Sequence, residues 1–171
     1  MKTILVFKYS KEIAEKQIPD KIDLQINEWR PSLINYIPPN SPNSYFVFWI
    51  FHFLHIFKNR EYCAYSISGN DSQIASLVCV PAVYLWSFME RTDIQIKNVY
   101  TNESNRGKGF AKYLINHLLK SNLKTGRDVW YITSSENIIS QKLCTSMGFV
   151  YQGTYTKSSI FCIVKIGKLN I

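Results

Sequence analysis

The stretch "NRGKGFAKYL", Asn105 to Leu114, decides how this chain is read, because it sets two glycines and three cations at the start of a pattern that otherwise suits an amphipathic helix. Glycine costs about 1 kcal/mol against alanine inside a helix, so two within three positions ask for a reason beyond helix formation. One reason is a flexible loop. The other is an anion held against bare backbone. The first N–H groups of a helix lack intrahelical partners, and the macrodipole adds about half a positive charge there, so phosphate oxygens suit the position. The spacing is not G-x-x-x-x-G-K-[ST], and the dinucleotide fingerprint fails because Lys112 stands where its third glycine belongs.

Working outward, "DIQIKNVYT" (Asp93 to Thr101) alternates as a strand, and a helix is expected from about Arg106 to Lys120. Next come a strand, "DVWYITS" (Asp128 to Ser134), a helix from Asn137 to Met147 stopped by Gly148, and strands near Phe149 to Thr156 and Ile160 to Ile166. Upstream, "TILVFKY" (Thr3 to Tyr9) reads as a first strand, followed by helical material and a Pro/Asn-rich loop, "IPPNSPNS" (Ile37 to Ser44). "EYCAYSIS" and "SQIASLVCV" flank Gly69-Asn70-Asp71 as a β-hairpin. The order gives a mixed α/β layer with the glycines at a strand-to-helix turn.

With 171 residues, 46% of them hydrophobic, one domain spanning residues 1–171 is expected. The opening "MKTILVF" has too short an apolar run for a signal peptide, so a cytoplasmic protein is expected. "YFVFWIFHFLHIF" (Tyr45 to Phe57) is too short for a membrane span and is expected to be a buried core helix, with no membrane partner. Cys63, Cys79, Cys144 and Cys162 form no C-x-x-C pair, so buried free thiols are expected and no metal. Residues 97–171 carry eleven Lys/Arg against three Asp/Glu, the whole of the chain's net charge of +8. That bias favours an anionic partner, and without a clustered basic arm a small phosphate ligand leads over nucleic acid.

Arg106, Gly109 and Ala111 satisfy R-x-x-G-x-[GA] directly after a strand, and "NIISQKLCTSMGF" (Asn137 to Phe149) runs from an Asn through a helix to Gly-Phe. These two stretches resemble motifs A and B of the GNAT superfamily of acyl-CoA-dependent N-acyltransferases, in matching order and spacing. The resemblance covers about Ile94 to Ile166. It implies a GNAT-like α/β fold: a central mixed, mostly antiparallel sheet of about six or seven strands, flanked by helices, with a V-shaped splay between strands four and five. Acetyl-CoA, the acyl donor substrate, would lie in that gap. Val99, Tyr100 and Thr101 would offer main-chain groups to pantetheine; Arg106, Gly107, Lys108, Gly109, Phe110 and Ala111 would cradle the pyrophosphate; Asn137 would reach the pantetheine arm or the adenosine side. A Gly109→Val change is expected to block the phosphate while leaving the helix intact.

The resemblance implies direct attack by a neutral amine on the thioester in a ternary complex, and here the chain departs from the pattern. Many members carry a Glu base where this chain has Gln95, which leaves Asp93, on the same strand face, as the candidate base, acting directly or through water. Many carry a Tyr where this chain has Cys144, a candidate proton donor to the leaving thiolate. His52, His55 and His117 are singled out by nothing in the spacing. The aromatic strip "VYLWSFME" (Val83 to Glu90) and the "YFVFWIF" helix fall where the family builds its acceptor cleft. The implied acceptor is a small-molecule primary amine, with a nucleotide-linked amino sugar as the candidate, and the implied assembly is a monomer or homodimer. The alternative is a non-catalytic acyl-CoA-binding regulatory module, suggested by Gln95 and Cys144.

Overall fold

The computed structural model describes residues 2–10, 25–69, 73–82, 88–122, 126–157, 159–160 and 163–164. Its elements are strands β1 (Lys2–Tyr9) and β2 (Ile26–Trp29), helix α1 (Phe46–Phe53), strands β3 (Cys63–Ser68), β4 (Gln73–Pro81) and β5 (Ile94–Thr101), and helix α2 (Phe110–Asn122). Strand β6 (Val129–Ser134), helix α3 (Ile138–Ser146) and strand β7 (Phe149–Lys157) follow, then two-residue strands β8 (Ser159–Ile160) and β9 (Ile163–Val164). Strands β1 to β7 make a single sheet in the order β2-β3-β4-β5-β6-β1-β7, and β8 pairs with β9 apart from it.

Within the main sheet β5 and β6 form the parallel pair, and the other pairings are antiparallel. A parallel pair needs a crossover, and α2 supplies it. The helix buries Leu114, Ile115, Leu118 and Leu119, at i, i+1, i+4 and i+5, against Ile94, Ile96, Leu77 and Val129 of the sheet. On the opposite face Tyr45, Phe57, Tyr62, Ala64, Val78 and Val80 form a second cluster, with Phe48 and Phe51 of α1 packed on it. Trp130, Val6, Ala82 and Met89 form a third beside it.

The feature that positions the site is where β5 and β6 part. Their pairing covers Ile94↔Val129, Gln95↔Trp130 and Ile96↔Tyr131, then stops, although β5 continues to Thr101 and β6 to Ser134. These are the strands expected to splay as the family's fourth and fifth. A bulge accounts for the parting: Val78 faces Lys97 but Ser76 faces Tyr100, so Asn98 and Val99 together oppose Leu77. Asn98 takes a φ of 48°, a conformation Asn tolerates better than most residues. Its Nδ2 donates to Asn40 O at 3.0 Å and Ser41 Oγ at 3.2 Å, which pins the bulge to the Pro/Asn-rich loop.

Four expectations change. The helical material after β1 is, in its described part, edge strand β2; residues 11–24 lie outside the described residues. The aromatic stretch is helical over only Phe46–Phe53, and none of those residues is fully buried: Phe48 and Phe51 face the sheet, while Phe46 stacks on Trp49 at the surface. An eight-residue helix on one sheet face has only one side to bury, however apolar its sequence. Helix α2 begins at Phe110, not Arg106, because Gly107 and Gly109 have φ of 78° and 86° and belong to the turn. The last expected strand is represented by β8 and β9, a separate short ladder, and residues 83–87 of the aromatic strip and Cys162 lie outside the described residues. Among the described residues, no helix is long and apolar enough to cross a membrane and no cluster could hold a metal.

Candidate functional site

A cleft of about 910 Å³ opens where β5 leaves β6. Val99, Tyr100 and Thr101 form one wall, the turn and first residues of α2 from Asn105 to Lys112 form the base, and Asn137, Ile139, Ser140 and Leu143 of α3 form the other wall. Every residue expected to meet pantetheine or pyrophosphate therefore lines this cleft. Asn105, Lys112, Ile139, Ser140 and Leu143 join them without having been anticipated. Of the two isoleucines that follow the α3 cap, Ile139 lines the cleft and is 82% exposed, and with Leu143 it gives the cleft an apolar wall.

The base of the cleft is built for an anion. Tyr113 N donates to Gly109 O at 2.9 Å and is the first N–H of α2 to find a carbonyl among the described residues, so the preceding N–H groups lie at an open helix end. A Cβ built on Gly107 or Gly109 meets nothing within 4 Å, so the space before the turn is clear. Arg106 Nε donates to Thr101 O at 3.3 Å and ties the turn to the strand end. Its guanidinium lies 3.4 Å from Glu103, both side chains exposed, and Lys108 Nζ donates to Asn105 Oδ1 at 3.1 Å. Helix α3 points its N-terminus at the same cleft, where Asn137 Oδ1 caps it by accepting from Ser140 N at 3.0 Å. Two helix N-termini and the cations Arg106, Lys108 and Lys112 thus converge on one space.

The two candidate catalytic side chains stand elsewhere. Asp93 is 2% exposed; its Oδ2 accepts from Glu90 N and Trp130 Nε1, both at 2.9 Å, and its Oδ1 accepts from Asp128 N at 3.3 Å. The carboxylate bolts the start of β5 to β6 and is not part of the cleft lining. Cys144 is fully buried in the core, its Sγ donates to Gln141 O at 3.2 Å, and burial pushes the thiol up to about 11. Its neighbour Leu143 reaches the cleft instead. Gln95 is also buried, and its Oε1 lacks a hydrogen-bond partner. The cleft as described is lined by no Asp, Glu, His or Cys.

Residues 26–149 match the family model described as the acetyltransferase (GNAT) family. Among solved structures, a GNAT-family acetyltransferase from Novosphingobium aromaticivorans is 14% identical with a TM-score of 0.55, the match covering 90% of this chain and 61% of that one. A GNAT-family acetyltransferase from Colwellia psychrerythraea is 17% identical with a TM-score of 0.56, covering 88% of this chain and 53% of that one. The aminoglycoside N-acetyltransferase AAC(6')-Iy in complex with CoA is 18% identical with a TM-score of 0.50, covering 85% of this chain and 97% of that one. The chain thus spans less than two thirds of the first two proteins, and at these identities the likeness is one of fold. No curated protein matches the chain in sequence. With its family match spanning most of the chain and its sheet split between β5 and β6, the protein belongs to the GNAT acetyltransferase family.

Proposed function

We propose that the protein is an acetyl-CoA-dependent N-acetyltransferase that moves an acetyl group to the primary amine of a small molecule by direct attack in a ternary complex. The observation that carries this reading is the convergence of a split strand pair, a glycine turn and two helix N-termini on one cleft. The exposed main chain of Val99 to Thr101 would pair with the pantetheine amides as an added strand, and Arg106 to Ala111 with Lys112 would take the phosphates. Asn137 would hold the α3 N-terminus in place against the cofactor. A complex with CoA in the similar aminoglycoside acetyltransferase supports CoA as the donor. In the reaction the neutral amine nitrogen attacks the thioester carbon, the C–N bond forms, the C–S bond breaks, CoA leaves as a thiolate, and the proton that the nitrogen sheds passes to solvent. Thiolate is a good leaving group, so a strong protein acid is not demanded.

A nucleotide-linked amino sugar is the acceptor to try first, because the basic second half of the chain and the aromatic face suit a phosphorylated, ring-bearing molecule. Incubating the protein with acetyl-CoA and a panel of amines that includes nucleotide amino sugars, and following free thiol, tests the reading. Release above the amine-free rate is the expected result; tight CoA binding with no release from any amine would leave the second reading, a non-catalytic acyl-CoA-binding module. That second reading draws on the absence of carboxylate and thiol groups from the described cleft lining.

A further inference from the structure

We infer that α1 and the turn at Ser32 to Asn35 seat the protein on the surface of an anionic lipid bilayer, a contact that goes beyond the acetyl-transfer reading and does not depend on it. The aromatic run is too short to span a bilayer, which is why no membrane partner is expected from the sequence. Lying on a bilayer asks instead for an exposed apolar face bordered by cations. Both are present.

The apolar face begins at the turn. Asn35 N donates to Ser32 Oγ and Ser32 N to Asn35 O, both at 3.1 Å, so Leu33 and Ile34 are held at the tip, 78% and 84% exposed. Turn tips ordinarily carry Gly, Asn, Asp or Ser, and two adjacent aliphatic side chains there give most of their surface to water. Trp49 Nε1 donates to Ser32 O at 2.8 Å and ties the turn to α1. The face then continues along the helix: Tyr36 meets Phe46 edge-on, Phe46 stacks on Trp49, Trp49 packs on Phe53, and Leu54 ends the row at 67% exposed. Phe48 and Phe51 take the side of α1 that faces the sheet, so this row is the side the core leaves unused. It is a connected strip rather than scattered single residues, and Trp and Tyr suit the boundary between headgroups and acyl chains.

Charge selects the occupant. Residues 29–60 contain no Asp or Glu and carry Arg30, Lys58 and Arg60. Arg30 is shared with Glu28 and Glu61, but exposed Arg60 has its Nη2 3.1 Å from His55 Nε2 and, among the described residues, forms no ion pair with a carboxylate. The positive field at this end of α1 reaches His52, whose pKa is lowered by burial first and then by Arg60, His55 and Arg30. Two copies joined through this face would set like charges against each other, whereas a layer of anionic headgroups meets them as partners. Helix α1 packs on the sheet face opposite α2, so the glycine turn that opens α2 stays in water when the strip is buried.

The test is flotation of the full chain with vesicles of phosphatidylcholine alone and of phosphatidylcholine mixed with phosphatidylglycerol at roughly two to one, at physiological salt. Half-binding is expected at a lipid concentration on the order of tenfold lower for the anionic vesicles. Leu33→Ser combined with Ile34→Ser should raise that concentration by on the order of tenfold, while melting temperature and calorimetric CoA affinity hold, because both side chains are exposed. Arg60→Gln should narrow the gap between the two vesicle types by roughly fivefold. No binding to either vesicle, equal binding to both, binding that survives the paired serine change, or a gap that Arg60→Gln leaves intact would overturn the inference. Self-association that the paired change abolishes, without vesicle binding, would overturn it in favour of a second copy of the chain. Thiol release is a separate readout, so failure of the acetyl-transfer reading and failure of this inference are told apart.

Discussion

Gly109 shows how much one backbone angle can carry. Its φ of +86° lies where L side chains pay a steric penalty, although a Cβ there would meet no protein atom within 4 Å. The cost of Gly109→Ala is therefore conformational, about 1–2 kcal/mol, and it falls on the left-handed turn that precedes the helix, not on the helix itself. Denaturant unfolding should show that loss, and calorimetry on the folded variant should show weaker CoA binding as the Cβ enters the cleft. Asp93 makes the opposite case. Its carboxylate receives three N–H donors, and Asp93→Asn turns an N–H₂ group toward them, so stability should fall by about 2–3 kcal/mol while CoA affinity holds. A collapse of kcat at unchanged melting temperature would instead return Asp93 to the role of base.

At the scale of elements, α1 links an apolar sequence to a half-exposed helix and to a pH effect. His52, in its last turn, titrates below the ordinary 6.5 because of burial first and then the charges of Arg60, His55 and Arg30. The unfolded chain therefore takes up the proton first as the pH falls, so this contribution to stability is whole above about pH 6.5 and declines below it. His52→Gln should narrow the difference in melting temperature between about pH 7.5 and about pH 5.5; an unchanged difference would show that His52 does not carry it. The elements with strong local signals were legible: alternation marked β5, a cap and a terminal glycine marked α3, and the glycine turn marked the cleft. Strand β2 was not, since four residues with two exposed between two half-buried ones carry little pattern. The burial of α1 is not legible either, because an unbroken apolar run does not say which side chains meet a neighbour. Position along the chain makes Asp93 and Cys144 candidates, and only packing shows that the Asp93 carboxylate holds β5 to β6 and that Cys144 sits in the core.

For the whole molecule, long-range pairing decides what local pattern cannot. Strand β1, first in the chain, lies between β6 and β7 and pairs antiparallel with both, so the first strand of the sequence and the last of the main sheet stand beside β6, the strand that forms one side of the split. The excess positive charge falls in the half of the sequence that supplies Arg106, Lys108 and Lys112 to the cleft, where it would draw in and hold a polyanionic donor. The central claim is that acetyl-CoA binds between the end of β5 and the starts of α2 and α3. Amide hydrogen exchange with and without acetyl-CoA measures it most directly: the account predicts added protection concentrated at Val99 to Thr101 and at Gly107 to Lys112, and protection elsewhere with these two segments unchanged would contradict it.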